Sequence, residues 1–288
     1  MKKNRMWELD FLRGLSILLV VWDHAMYDFA RVFTQWKTGG VAFLSDLSNF
    51  GYSYITGDLR FLWRPAFLFI FFCTSGLCTA FSRNNFIRGV KLLTVAAGVS
   101  LVTFIIDALF DADTFAMFGV LHCLAVIILS YSLVDIIIRG ITKLVAVISK
   151  KPYSHLIERL LRIGICLALG VIFCVINAKY NVSILDMTAS YATIESDSKI
   201  IGMFFANDLW WTADYFPLFP FIAFFYFGAG LAGIFYDKKK SLFAPLDGVW
   251  NVPFTFAGKY SLIVYLGGQV VVVLIGIILN FAFFGTAF

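Results

Sequence analysis

Apolar runs of roughly 20 residues recur along this 288-residue chain, and they leave it few folds to choose from. A run of that length crosses the core of a bilayer as a helix. In lipid every backbone N–H and C=O must bond within its own segment, so helices are the form such runs take. Composition closes the soluble alternative: 60% of the residues are hydrophobic, 33 residues are Phe, and only 14% are charged. Soluble domains carry about 25% charge. The fold class expected is therefore all-α, a polytopic transmembrane helical bundle forming a single integral membrane domain over 1–288.

The hydropathy pattern predicts seven spans, at about 9–32, 62–82, 87–110, 115–138, 158–179, 217–236 and 258–283. The connection 33–61 reads as turns with a short interfacial helix, 139–157 as a basic loop, and 198–216 as a re-entrant or interfacial piece. Sixteen of the 23 basic residues then fall on one set of alternating sides. Cytoplasmic loops are the Lys/Arg-rich ones, so the N-terminus is placed inside and the C-terminus outside. The N-terminus lacks a short apolar core with a cleavage site, so the first helix is expected to be retained. The basic residues are spread over loops, and no nucleic-acid partner is expected. Five Cys, all in apolar segments and without metal-finger spacing, read as buried, inert thiols. No metal is expected. Asn181 heads an Asn-Val-Ser sequon on the outer side.

The first span is the one that does not look like lipid-facing helix. "WELDFLRGLSILLVVWDHAMYDFARVF" carries Asp10, Arg13, Asp23, His24, Asp28 and Arg31. At 100° per residue, Arg13 and Arg31 lie about 20° from His24, and Asp10 and Asp28 about 40°. These five form one stripe, which must face protein or a water-filled cavity. Asp23 and Glu8 fall off it. Asp10 and Arg13, spaced i, i+3, are set to pair near the cytoplasmic end. Asp28 follows His24 by four residues and is placed to orient its imidazole.

Depth adds a second His. His24 sits about 22 Å along its helix, in the outer half, and His122 about 10 Å into a span descending from outside. His155 falls in the basic loop and reads as solvated. Arg64-Pro65 opens the second span, with Pro as a helix-start residue and Arg64 available to a charged group. The stretch 72–82 is rich in small residues and reads as a packing face. Asp214 precedes the two Pro of the sixth span, Gln269 sits near mid-membrane where an amide needs a partner, and Gly267-Gly268 permits close helix approach.

Five stretches resemble, in order, the short bacterial form of the membrane acyltransferases related to heparan-α-glucosaminide N-acetyltransferase. They are "WELDFLRGLSILLVVWDH", "WRPAFLFIFFCTSGLCTAFSR", "FGVLHCLAV", "DYFPLFPFIAFFYFGAGLAG" and "GKYSLIVYLGGQ". Together they cover about 7–282. The resemblance implies transfer of an acyl group, acetyl above all, from cytoplasmic acyl-CoA to an extracytoplasmic acceptor such as a sugar or glycan. It implies His24 as the acyl-transfer His, acting as base or acyl carrier, with Asp10 and Arg13 as the charged pair. It matches His122 to the "FGxLH" His, and Asp214 and Tyr215 to the acceptor side. The family's last motif often reads Tyr-Leu-x-His-Gln-Pro; here Gly268 stands for that His and Val270 for the Pro, while Gln269 remains.

The chemistry agrees with the stripe. A thioester acyl transfer needs a base or a nucleophile, and a neutral imidazole serves as either. Inner-side cations, among them Arg13, Arg88, Arg162 and Lys238 to Lys240, suit the phosphates of CoA. Membrane lipid and a small-molecule or glycan acceptor are the expected partners, a homodimer is a candidate assembly, and the bacterial plasma membrane is the expected location. Two other readings use the same residues. One is a proton-coupled transporter or exporter with Asp10, His24 and Asp28 as a relay. The other is a membrane cytochrome with His24 and His122 as haem ligands.

Overall fold

The structure, a computed structural model, describes residues 6–110, 114–150, 152–180, 196–206, 209 and 212–286. The sequon at Asn181, the acidic residues Asp111 and Asp113, the basic residues before Met6 and Lys151 lie outside them. Among the described residues the chain is all-helical, with no strand. The α-helices are α1 (Trp7–Tyr27), α2 (Gln35–Thr38), α3 (Ala42–Thr56), α4 (Asp58–Leu77), α5 (Asn85–Phe110), α6 (Val120–Ser149), α7 (His155–Tyr180), α8 (Lys199–Phe204), α9 (Phe221–Phe235), α10 (Val252–Lys259) and α11 (Ser261–Phe284).

By length and composition, α4 with its continuing 3₁₀ turn to Phe81, α5, α6, α7 and α11 are each able to cross a membrane. Two expected spans do not meet that measure. α1 carries Glu8, Asp10, Arg13 and Asp23 within its 21 residues, and α9 has only 15 residues.

Several boundaries depart from the sequence reading. The connection 33–61 is mostly helix, because α2, α3 and the first turn of α4 occupy it. Pro65 therefore lies inside α4 rather than at its start; Asp58 is the acidic residue of the first turn, where the helix dipole favours it. The basic stretch 139–157 is not a loop either. α6 runs on to Ser149 because "ITKLVAVIS" keeps a helical apolar spacing, and it stops at Lys150 in the left-handed region (φ 52°) just before Pro152. His155 is the first residue of α7 rather than a loop residue, though its side chain is 91% exposed. The last span is two helices, α10 and α11, meeting at Tyr260. Among the described residues of 198–216, only the six of α8 are helical.

The chain forms two compact units, one from the residues up to Phe71 together with those from Phe243, the other from Phe72–Leu242. In the first, α1 lies against α10 and then α11. Trp7 and Phe11 meet Trp250 edge to face, and Phe11 meets Phe254. Further along, Phe33 stacks on Trp36, and Trp36 donates to Asn280 at 2.6 Å. Contacts thus rise together in both sequences, so α1 and α11 run parallel. Gly14 and Gly258 make the crossing: a Cβ at Gly14 would run into the Phe254 carbonyl, and one at Gly258 into the Asp10 carbonyl. Burial of Phe33, Trp36 and Leu44, all fully enclosed, contributes about 1.5–3 kcal/mol per side chain.

In the second unit, α5 packs on α6 and α7 on α9. Arg162 on α7 binds Asp135 on α6 at 2.7 Å, and Glu158 one turn back on its own helix. Arg159 reaches Asp237 at 2.8 Å. These pairs tie α6, α7 and the end of α9 together near their charged ends.

Candidate active site

In the first unit Arg13, His24 and Asp28 of the expected stripe face α11. Arg13 donates to Ser261 Oγ at 2.8 Å. The His24 ring meets Tyr265 edge to face, with centroids 5.7 Å apart. Gln269 Nε2 donates to Asp28 Oδ2 at 2.8 Å. The partners 261, 265 and 269 are four residues apart, so one face of α11 supplies all three. His24 is half-buried, and its Nδ1 lies 2.9 Å from the Val20 carbonyl. A carbonyl only accepts, so Nδ1 carries the proton and a neutral His24 holds its lone pair at Nε2.

The stripe is not uniform along its length. α1 ends at Tyr27, and Asp28–Val32 winds as a π-helix. A wider turn changes the angle per residue, so the extrapolation to Arg31 fails. Arg31 is exposed and sits over the Tyr52 ring, 5.5 Å from its centroid. Asp28 is still inside and buried.

The acids off the stripe are also buried. Glu8 is 5% exposed and Asp23 7%. Asp23 takes a two-pronged bond from Arg60, with Nε to Oδ1 at 2.7 Å and Nη2 to Oδ2 at 3.1 Å. Arg64 Nε approaches Oδ2 at 3.4 Å, and the Tyr54 hydroxyl donates to Oδ1 at 3.3 Å. Tyr54 is in turn hydrogen-bonded to Trp63. Sequence reading found Arg64 and missed Asp23, Tyr54 and Arg60 as a group. The signal was the i, i+4 spacing of Arg60 and Arg64, hidden by starting the helix at 62. Tyr265 was missed too, although it precedes Gln269 by one turn.

His122 belongs to the second unit, and there its surroundings define it. The Gly119 N–H donates to Nδ1 at 3.3 Å, so the ring proton lies on Nε2, 3.1 Å from Ser100 Oγ. Ser100 donates onward to the Ala116 carbonyl at 2.6 Å. Both ring nitrogens are thus engaged, one of them capping the helix that His122 stands on. Asp214, in the left-handed region (φ 51°), caps the same end by accepting from Val120 N at 3.2 Å. Tyr215 directs its hydroxyl to the carbonyls of Gly202 and Phe205. Residues 212–216 lie along 115–118, with Ala213 N bonded to Phe115 O and Phe216 N to Phe118 O. His122 and Asp214 therefore both cap the start of α6, while Tyr215, next to Asp214 in sequence, points its hydroxyl at the end of α8.

At Gly268 a Cβ would stand 2.8 Å from Val21 Cγ1. The position that the motif resemblance sets against a His is here packed against α1. Of the cations matched to CoA, Arg162 is occupied by Asp135 and Glu158, and Arg88 faces the Ser75 carbonyl. Lys238, Lys239 and Lys240 are exposed. Among the described residues no group of His, Cys, Asp and Glu is arranged to hold a metal.

Comparison with known proteins finds no match among curated sequences and none among solved structures. The family described as "Heparan-alpha-glucosaminide N-acetyltransferase, catalytic" matches residues 40–270. That stretch holds Arg60, Arg64, His122, Asp214, Tyr215 and Gln269, and it begins after His24. It covers most of the chain, and the apolar helices agree with a membrane enzyme. The chain belongs to the heparan-alpha-glucosaminide N-acetyltransferase catalytic-domain family.

Proposed function

We propose that this protein transfers an acetyl group from cytoplasmic acetyl-CoA to a hydroxyl or amine of an extracytoplasmic acceptor, a sugar or glycan, with His24 as the reacting base or acyl carrier. The observation that carries it is the 2.9 Å contact between His24 Nδ1 and the Val20 carbonyl. A carbonyl only accepts, so a neutral His24 carries its proton at Nδ1 and its lone pair at Nε2. As a base, Nε2 takes the acceptor proton while the acceptor atom attacks the thioester carbonyl. The C–S bond then breaks, and the proton goes to the departing CoA sulfur. As a carrier, Nε2 attacks first and releases CoA, and the acceptor then displaces it from the acetyl-imidazole. Asp28, within electrostatic reach of His24, stabilises the positive ring in either course.

Seven crossings, with the N-terminus inside, fit this reading. Five crossings plus α1 would leave α11 antiparallel to α1. Their parallel contacts are supported by a further reversal of the chain, which α9 supplies. Donor and acceptor then reach the α1–α11 seam from opposite sides. The test is single-turnover release of CoA from acetyl-CoA by purified protein in nanodiscs, with and without amino sugar. No release under either condition overturns the proposal.

A further inference from the structure

Arg13 is a half-buried cation of α1 that meets no carboxylate among the described residues. Its Nη2 donates to Ser261 Oγ at 2.8 Å, and that neutral hydroxyl is its one hydrogen-bond partner there. Asp10, one turn back, forms no ion pair with it, against the i, i+3 expectation. Its Nε is buried and has no acceptor among the described residues. A guanidinium offers five N–H donors. A buried donor left unmade is costly, and a charge drawn from water without an anion is costlier. The other cations suited to a phosphate differ from it. Arg162 bonds to Asp135 and Glu158, and Lys238, Lys239 and Lys240 are exposed. Spacing adds a second property. Arg13 and His24 share one face of α1 and lie about 16 Å apart along its axis. The same face of α11 meets both, through Ser261 and Tyr265.

We infer that Arg13 seats the phosphate at the far end of the acyl donor's arm, and that its spacing from His24 selects the donor by length. This rests on the acetyl-transfer reading. In acetyl-CoA the extended pantetheine arm sets the thioester and the nearest phosphate apart by a comparable span. With that phosphate on Arg13, the acetyl carbon arrives beside His24. An acyl phosphate, whose acyl carbon and phosphorus share one oxygen, cannot reach both residues. The guanidinium is suited to the task, because its planar fork takes two phosphate oxygens in parallel and Nε is one of its donors. A phosphate there also answers a charge that is otherwise costly inside a membrane helix.

The test measures binding apart from turnover. Protein in phosphatidylcholine nanodiscs is titrated with pantetheine and with 4′-phosphopantetheine, neither of which carries an acyl group. The phosphorylated arm is expected to bind about ten-fold tighter, the gain of one charge-assisted contact. Arg13→Gln is expected to remove that preference and Arg13→Lys to keep part of it. Gln retains a donor for Ser261, and a melting curve verifies that the variant is folded. Acetyl phosphate, offered in place of acetyl-CoA, is expected to give no transfer to an amino sugar. Equal affinities in the wild type, or a preference that survives Arg13→Gln, would overturn the inference. So would transfer from acetyl phosphate at the rate seen with acetyl-CoA. Loss of the preference on adding phosphatidylglycerol would overturn it too, by identifying a lipid phosphate as the occupant. CoA release without any preference sinks this inference alone. A preference without CoA release sinks the acetyl-transfer reading and leaves the phosphate site standing.

Discussion

Gln269 on α11 and Asp28 at the end of α1 share a 2.8 Å hydrogen bond across 241 residues of chain. The amide answers a buried carboxyl that has been carried into an apolar seam. Gln269→Leu removes the donor and leaves Asp28 without it. We expect a loss of about 1–3 kcal/mol, read as a lower melting temperature in detergent. Gln269→Glu should be worse, since it sets two carboxyl groups against each other. A melting temperature unchanged in both variants would show that the bond contributes nothing.

Gly268 tests how closely α1 and α11 approach. A methyl there meets Val21 Cγ1 at 2.8 Å, so Gly268→Ala should cost about 1–3 kcal/mol. Adding Val21→Ala should recover most of it, because the overlap is between these two side chains. Placing a His at 268 needs the same relief. Thermal unfolding of the single and double variants measures the coupling. Strict additivity would rule out the contact.

His24→Ala removes the nitrogen on which the chemistry is proposed. Acceptor-dependent CoA release should fall by about 10²–10⁴-fold, while the protein remains monodisperse and helical. Undiminished release would dismiss His24 from the reaction.

His122 gives a different prediction. Its Nδ1 caps α6 and its Nε2 leans on Ser100. His122→Phe should therefore lower stability by about 0.5–2 kcal/mol, the range of a lost helix cap. Ser100→Ala should repeat part of that loss, and the double variant should lose less than the sum. Full additivity would mean the three-member chain through Ala116 is not a unit.

Orientation has its own measurement. A peptide tag appended after Phe288 should be reached by antibody on intact cells, and one before Met1 only after permeabilisation. Both tags on one side would make the number of crossings even, and the opposite pattern would reverse the orientation.

The helical class was legible because hydropathy runs report the solvent that a segment meets. Gln269 and Asp28 were each legible as costly polar residues, but not as each other's partner, since pairing across 241 residues leaves no local trace. Asp23 was read only as lying off the stripe, and its partners went unseen for a physical reason. A helical wheel orders residues by angle about one axis, and α1 is enclosed on more than one side, by α3 and α4 as well as α11. Arg31 was misjudged because the winding changes at Asp28. The ends of α4 and α6 were missed where polar residues such as Arg60, Arg139 and Lys143 continue a helix past its apolar core.

The parallel seam between α1 and α11 has a consequence for how the protein is made. Arg13 and its partner Ser261 are 248 residues apart. At a synthesis rate of about 5–20 residues per second, the first helix waits roughly 10–50 s for the last. Throughout that interval the intervening unit is being inserted, and the acids and cations of α1 have no α11 to face. The newborn first helix must be sheltered by the insertion machinery or rest at the bilayer surface. Biogenesis of this protein therefore ends, rather than begins, with the seating of its N-terminal helix.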